Sequence, residues 1–302
     1  MQITLTEVGP RDGLQNERRS VSIEQKIELI TRVAAAGIRR FEATSFVSPR
    51  AVPALSDAED VLRGIPQREK LILEALVPNM RGAERAAQVG LDEWVCFASA
   101  SESHSQANSN TNTDEALNRL IPVIRLAEEQ GVTAVGAIAT SFGCPFEGEV
   151  PAARVVEVAR RMADMGIKTV KLGDTIGTAA PSQVTRLIDA VRTTLPDITI
   201  VLHFHNTRGM SLTNVQAGIA AGIDRYESAL GGVGGCPFAP GATGNVASED
   251  LVHFLHLEGH QTGVDLTRLI EAGHWFETLL DRQLPAHLLR AKPVGEIYNT
   301  AK

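Results

Sequence analysis

Two histidines separated by one residue, His203 and His205, are the first feature of this sequence that indicates chemistry. In a β-strand, residues i and i+2 point to the same face, so both imidazole rings would face one site. A single histidine in such a place is more often a packed side chain than a ligand. The pair, in a chain that also offers Asp12 and Asn245, predicts a binding site for a divalent metal ion.

The proposed ligand set combines two imidazoles with one carboxylate and one amide oxygen, and it contains no thiolate. Hard oxygen ligands and several open positions suit Mg²⁺ or Mn²⁺ in octahedral geometry. Zn²⁺ tolerates the same donors, and Co²⁺ or iron is also compatible with them. The sequence therefore predicts a divalent metal, with Mg²⁺ or Mn²⁺ preferred.

Short β-branched segments alternate with longer helical patterns along the chain. Ser22 and Gln25 have capping-box spacing before a helical pattern that ends at Gly37. A second helical pattern, over 114–130, contains Pro122, so we expect a kink there. The eight predicted strands are 3–9, 39–46, 70–77, 93–99, 132–141, 168–174, 198–205 and 225–232.

Strands that alternate with helices predict parallel pairing. Eight such units in 302 residues fit a (β/α)₈ TIM barrel, an α/β fold. We expect one catalytic domain over 1–302, with an additional C-terminal helical extension at about 264–302. A doubly wound open sheet with an extra lobe is the alternative, but 8–17 lacks the G-x-G-x-x-G turn that it requires after the first strand.

A barrel of this kind carries its chemistry at the carboxyl ends of the strands. Polar or ionisable residue types lie at or just after the ends of five of the eight predicted strands, which supports the assignment. They are Arg11 and Asp12, Glu42 and Thr44, Asp174, the two histidines, and Cys236 with Asn245.

Arg11 has two possible roles. A guanidinium beside a metal can polarise a carbonyl or stabilise an enolate, or it can form a structural salt bridge to Glu42 or Asp174. Those two carboxylates could in turn orient the ligands or carry protons.

Composition narrows the class of partner. The net charge of −7 argues against a nucleic-acid partner. Three scattered cysteines suit a reducing compartment, and no apolar run reaches the roughly 18 residues of a membrane helix. With no charged and apolar leader at the start, we expect a cytoplasmic protein without a membrane partner. The polar segment 101–110 is expected to be a flexible loop, either helping to bind substrate or lying plainly on the surface.

Several motifs together resemble the 3-hydroxy-3-methylglutaryl-CoA lyase family, which is metal-dependent and built on TIM barrels. The similarity extends from Thr6 to about Gly273. The cysteine-bearing segment is the most specific motif, whereas the R-D-G-x-Q element is shared with isopropylmalate and citramalate synthases. The motifs are VGPRDGLQNE, FEATSFVSP, LGDTIG, HFHNTRG and GGCPFAPGATGNVASED.

The resemblance implies roles for individual residues. It implies that Arg11 stabilises an enolate, and that Cys236 carries a proton on a mobile loop at about 233–250. Glu42 and Asp174 match acidic positions that line the site. The implied metal ligands are Asp12, His203, His205 and Asn245.

The implied reaction is metal-assisted cleavage of a 3-hydroxy-3-substituted glutaryl-CoA to acetyl-CoA and a keto acid, with Asp12 or His203 as the base. The implied partner is therefore an acyl-CoA substrate, and we expect a homodimer or higher homo-oligomer.

The chain departs from the family pattern near the expected substrate pocket. Asn206 and Arg208 replace a carboxylate and a phenol, and Ala137 stands where the family has a tyrosine. We interpret Ala137 and Arg208 as pocket residues that adapt the same reaction to a larger or differently charged acyl group. Lys171 replaces a small serine, and strand alternation places it opposite Asp174, so we expect it to point toward the helix layer and to need a partner.

Three other functions remain as alternatives. A citramalate or isopropylmalate synthase would share the R-D-G-x-Q element, but such enzymes usually carry a further regulatory domain. An amidohydrolase-type zinc hydrolase would place its paired histidines on the first strand rather than the seventh. A binding protein without activity would have no structural need for the whole ligand set.

Overall fold

Eight parallel strands form a closed barrel, in which each strand pairs with the next along the chain and β8 pairs with β1. The structure is a computed structural model that describes residues 1–235 and 244–300. It confirms the predicted TIM barrel. The strands are β1 Thr4–Glu7, β2 Arg40–Ser45, β3 Ile72–Leu76, β4 Glu93–Ser99, β5 Thr133–Ala139, β6 Thr169–Asp174, β7 Thr199–Phe204 and β8 Arg225–Ser228.

Helices surround this barrel, at least one after every strand. Ser22 caps α1 with the predicted capping box, in which its side chain and that of Gln25 exchange hydrogen bonds with backbone groups. None of the helices in the described residues is long and apolar enough to cross a membrane. The helices are α1 Ile23–Ala35, α2 Ala58–Gly64, α3 Met80–Ala86, α4 Glu102–Ser109, α5 Thr113–Glu129, α6 Ala152–Asp164, α7 Pro181–Thr194, α8 Ser211–Ala220, α9 Ser248–Leu257, α10 Leu266–Leu280 and α11 Val294–Thr300.

The prediction of a flexible loop at 101–110 is wrong, because most of this segment forms α4. Ser101 accepts a hydrogen bond from the backbone N–H of His104 and so caps the helix, which ends where Asn110 adopts a left-handed conformation. Low hydrophobicity hid this short helix from the sequence pattern. The following helix, α5, continues without a break through Pro122.

The orientation expected for Lys171 is also wrong. Its ammonium group donates to Glu74 on β3 and to Glu227 on β8, so the side chain crosses the inside of the barrel. Asp174, three residues later, faces the other way and accepts backbone N–H groups of the loop after β6. The prediction that Lys171 and Asp174 lie on opposite faces is consistent with these contacts, but the face assigned to the lysine was wrong. Lys171 points inward because its two carboxylate partners lie inside the barrel.

Two buried carboxyl groups hold the backbone just after β8. Glu7 at the end of β1 accepts hydrogen bonds from the N–H groups of Gly9 and Leu230, at 2.9 and 2.7 Å. Glu249 on α9 accepts the N–H of Gly231 at 2.8 and 3.0 Å. These contacts fix the position from which the segment toward Asn245 departs.

Burial raises the pKa of both carboxyls, that of Glu7 to about 7 and that of Glu249 to about 8. The folded state therefore favours the protonated form, and this preference becomes a cost once the pH exceeds the ordinary carboxyl pKa.

We predict that Glu249→Gln gains stability relative to the wild type as the pH rises. The glutamine imitates the neutral acid, so its stability should not depend on ionisation at this position. In the wild type, the free energy of unfolding should fall by about 1.4 kcal/mol per pH unit between the unfolded-state pKa of Glu249, 4.5, and its folded-state pKa of about 8. Urea unfolding at a series of pH values measures the difference. The exposed Glu258 near the end of the same helix provides a control, since Glu258→Gln should follow the wild type. A constant gap between Glu249→Gln and the wild type from pH 4 to 9 would contradict the assignment.

Candidate active site and metal centre

Three of the predicted metal ligands come together at the carboxyl end of the barrel. One donor atom from each of Asp12, His203 and His205 lies within 4.8 Å of the other two. The His205 Nε2 atom is 3.7 Å from an Asp12 carboxylate oxygen, and the centroids of the two imidazole rings are 5.0 Å apart. The histidine pair therefore faces one site, as the spacing on β7 predicted.

A single π-helical turn, Gly9–Gly13, delivers Asp12 to this cluster. The carbonyl of Val8 accepts the N–H groups of Arg11, Asp12 and Gly13 at 2.8 to 3.2 Å, which winds the chain tightly as β1 ends. Such turns often occur at functional sites, because they aim neighbouring side chains in a way that a regular helix does not.

The fourth predicted ligand, Asn245, arrives on a segment that runs beside β7. Its backbone forms a bridge with His205, and its side-chain amide donates to Asp12 at 2.7 Å. Gly244 has φ +102°, and a Cβ atom there would lie 2.4 Å from the carbonyl oxygen of Gly232. Gly244 is thus required by the close approach of two backbone segments.

Arg11 joins the metal cluster to Glu42 on β2. Its guanidinium contacts Asp12 at 3.0 Å and Glu42 at 2.7 Å, and all three side chains are mostly buried. Burial raises the pKa of Asp12, but the charge of Arg11, together with the nearby His205 and His203, outweighs it and holds that pKa well below the ordinary range. Asp12 is therefore ionised, as a metal ligand must be.

A second layer of buried charge lies behind His203, and the sequence did not reveal it. The His203 Nδ1 atom is 2.8 Å from Glu227, whose other oxygen accepts Lys171. Burial raises the pKa of Glu227, but Lys171 and His203 outweigh it and lower the value to about 2. For Glu74, the second partner of Lys171, burial dominates and raises the pKa to about 8. Carboxylates inside predicted strands were the signal that could have indicated this layer.

The cluster opens into a cavity of about 430 Å³. One wall is ionic and includes Arg11, Asp12 and His203, while another is apolar. Ala137 lies on the apolar wall, where the sequence placed a pocket residue. The apolar wall also includes Leu76, Val95 and Phe97.

Other residues that the sequence singled out do not line this cavity within the described residues. Arg208 donates to the carbonyl groups of Ile176 and Gly177 at 2.7 and 3.2 Å, and so joins two loops. Asn206 accepts the hydroxyl of Ser211 at the start of α8. Asp174 accepts the backbone N–H groups of residues 178 and 179. These contacts organise loops around the site.

The expected proton carrier, Cys236, lies outside the described residues, as do residues 237–243 of the loop expected at about 233–250. The other two cysteines, Cys96 and Cys144, are buried and do not line the cavity. Burial alone raises the pKa of Cys96 to about 12, so this thiol is unsuited to proton transfer near neutral pH.

The donor set fits a divalent cation. Asp12 is ionised, and His203 presents Nε2 because its Nδ1 is engaged by Glu227. The buried Oδ1 atom of Asn245 has no hydrogen-bond partner among the described residues, although a buried amide oxygen ordinarily has one. That oxygen is therefore available to bind a cation, while the amide nitrogen of Asn245 faces Asp12.

Fold and site together define a TIM barrel with a mixed cluster of imidazole and oxygen donors that could hold a divalent metal. The HMGL-like family model matches residues 2–275. The chain therefore belongs to the HMGL-like family and is a lyase, as the sequence motifs indicated.

Curated lyases are similar in sequence to this chain over most of its length. The chain is 44% identical over 273 residues to the 3-hydroxy-3-isohexenylglutaryl-CoA/hydroxy-methylglutaryl-CoA lyase of Pseudomonas aeruginosa, covering 90% of this chain and 91% of that one. It is 41% identical over 302 residues to the (R)-citramalyl-CoA lyase of Chloroflexus aurantiacus, covering 97% and 95% of the two chains.

A solved structure agrees with the fold. The HMG-CoA lyase from Acinetobacter baumannii, in complex with coenzyme A and 3-methylmalate, matches with a TM-score of 0.93 and 39% identity. The match covers 97% of this chain and 96% of that one.

We predict that Asp12→Asn weakens Mn²⁺ binding by at least about 100-fold, since removing a direct ligand should cost no less than the loss of an outer partner. Isothermal titration of Mn²⁺ into the protein measures the change. Asp174→Asn is the matched control, because the amide oxygen can still accept the loop N–H groups, and it should bind Mn²⁺ like the wild type. Equal losses in both variants would refute the assignment of Asp12 as the ligand.

Proposed function

We propose that the chain cleaves 3-hydroxy-3-substituted glutaryl-CoA thioesters to acetyl-CoA and a keto acid, which is acetoacetate for the methyl substrate. The observation that carries this proposal is the position of Arg11. Its guanidinium lines the same cavity as the Asp12–His203–His205 cluster, and Asp12 and Glu42 hold it there. A fixed cation beside a metal centre suits a reaction that passes through an enolate, because it stabilises the developing negative charge.

The metal would be held by Asp12, His203, His205 and Asn245, and we propose Mg²⁺ or Mn²⁺ because oxygen donors make up half of this set. When bound, it supplies Lewis-acid polarisation of the tertiary hydroxyl of the substrate. Asp12 and His203 both lie within reach of the same point, and either could accept the hydroxyl proton.

Loss of the hydroxyl proton allows the bond between the α and β carbons to break, and acetyl-CoA departs as an enolate. We propose that Arg11 stabilises the enolate oxygen. A proton must then reach the α carbon, and we propose Cys236 as its donor, because the ordinary thiol pKa of about 8.5 lies close to working pH.

We further propose an acyl substituent larger than methyl. The apolar wall formed by Leu76, Val95, Phe97 and Ala137 gives such a group somewhere to lie. The Pseudomonas aeruginosa relative is named for two substrates, one with a methyl and one with an isohexenyl substituent. The (R)-citramalyl-CoA lyase among the relatives supports a second candidate, cleavage of a different 3-hydroxyacyl-CoA by the same chemistry.

The cytoplasmic location and a homodimeric or larger assembly remain proposals. The three scattered cysteines support the first, because they suit a reducing compartment. Light scattering during size-exclusion chromatography measures the second.

We predict that Cys236→Ala lowers kcat about 10²- to 10⁴-fold and changes KM little, because a proton donor acts during the reaction rather than in binding. Cys144→Ala is the matched control and should keep kcat close to the wild type, since Cys144 is buried away from the cavity. Coupled detection of acetyl-CoA gives both constants. If Cys236→Ala and Asp12→Asn were both fully active, the proposed mechanism would be wrong.

We predict that Ala137→Tyr removes activity selectively toward large substituents, by about 10-fold or more, because the ring would fill the apolar side of the cavity. Turnover of a panel of 3-hydroxy-3-alkylglutaryl-CoA thioesters measures the selectivity. Ala153 on α6 is exposed, so Ala153→Tyr is a suitable control. This variant should have the same substrate selectivity as the wild type. Efficient cleavage of the methyl substrate alone by the wild-type enzyme would contradict the enlarged pocket.

A further inference from the structure

A buried lysine lies across the inside of the barrel, beneath the proposed metal centre. Lys171 on β6 donates to Glu74 on β3 and to Glu227 on β8. The three side chains are only 6%, 1% and 5% exposed. A lysine buried to this degree must be paired, and it gives up much rotamer freedom, so its position within the site calls for a reason beyond filling space.

Glu227 connects this lysine to the metal cluster. One of its oxygens accepts Lys171, and the other lies 2.8 Å from the Nδ1 atom of His203. Each carboxylate oxygen thus has its own partner, and the two partners together restrict rotation of the carboxylate. A carboxylate held in one plane orients the imidazole with which it shares a hydrogen bond.

We propose that Lys171 is a positioning residue for His203, acting through Glu227. Lys171 holds Glu227 so that the His203 Nδ1–H is donated to it, and the Nε2 atom then faces Asp12 and His205. This inference rests on the metal centre of the proposed function. It adds a residue that acts on the metal ligands through a carboxylate rather than by direct contact.

Removal of Lys171 should therefore disturb His203. The Glu227 oxygen that accepted the lysine would lose its partner, and the carboxylate could turn away from the imidazole. Glu74 is joined to Glu227 through Lys171, whereas Glu227 itself bonds His203, so removal of Glu74 should disturb His203 much less. A purely structural lysine would give a different pattern, in which stability falls and the metal site is unaffected.

The test compares Mn²⁺ affinity, measured by isothermal titration, with the Mn²⁺ electron paramagnetic resonance spectrum of each variant. Lys171→Met should weaken Mn²⁺ binding about 10- to 100-fold and alter the spectrum of the bound ion. The double variant Lys171→Met/Glu74→Gln also replaces the second carboxyl partner of the lysine with a neutral amide, so Glu74 is not left buried without its partner. It should show the same loss, and it carries the test if the single variant does not fold.

Two controls separate positioning from stability. Glu74→Gln keeps the contact between Lys171 and Glu227, and should bind Mn²⁺ nearly as the wild type does. Lys26→Met removes a second buried lysine, which pairs with Asp57 at 2.6 Å in the helix layer, and should lower stability without changing Mn²⁺ affinity.

The outcomes distinguish this inference from the proposal on which it rests. Wild-type protein that binds no Mn²⁺ would overturn the metal centre itself, and the inference with it. Wild-type protein that binds Mn²⁺, together with a folded Lys171→Met or double variant of equal affinity and unchanged spectrum, would overturn the role of Lys171 alone.

Discussion

Burial of charge is the constraint on which the rest of this site depends. The carboxyl end of the barrel encloses the guanidinium of Arg11, the ammonium of Lys171 and several carboxylates, and such groups are costly to remove from water unless they are paired. The pairing is continuous from Glu42 through Arg11 to Asp12. Because each of these side chains has a partner on another segment, the strands that carry them must keep their register for the charges to remain compensated.

A separate pair of buried carboxyls extends this constraint to the backbone. Glu7 and Glu249 accept N–H groups of residues 230 and 231, just before the segment that brings Asn245 to Asp12. Hydrogen bonds from backbone N–H groups favour the charged carboxylate, whereas burial opposes it, and burial prevails for both residues. Ionisation of these two carboxyls should therefore lower the stability of the fold as the pH rises. For a carboxylate that is charged and paired in the folded state, stability instead falls as the pH falls.

The fold could be predicted from the sequence because its signals are local. Alternating strands and helices, the Ser22 capping box and the i, i+2 spacing of the histidines depend only on neighbours in the chain. The approach of Asp12 to the histidines could be predicted from barrel closure, since strand ends meet at one rim.

The features that could not be predicted depend on contacts between distant strands. Lys171 and Asp174 were assigned to exchanged faces, because alternation fixes only that they differ and not which one faces inward. Glu227 and Glu74 were missed since their partner lies 56 and 97 residues away along the chain. Arg208 was assigned to the pocket by its chemistry, but its contacts are two carbonyl groups of the neighbouring loop.

The two inward-facing departures from the family pattern are best understood together. Ala137 and Lys171 are register partners on β5 and β6, and both line the cavity. The family resemblance led us to expect a large ring beside a small serine at these two positions, whereas this chain has a small residue beside a long one. The lysine head is drawn across the barrel to Glu74 and Glu227, away from Ala137. Ala137 therefore borders open space in the cavity, while Lys171 occupies the barrel interior next to His203 through Glu227, so the two departures join the support of the proposed metal ligands to the room proposed for substrate.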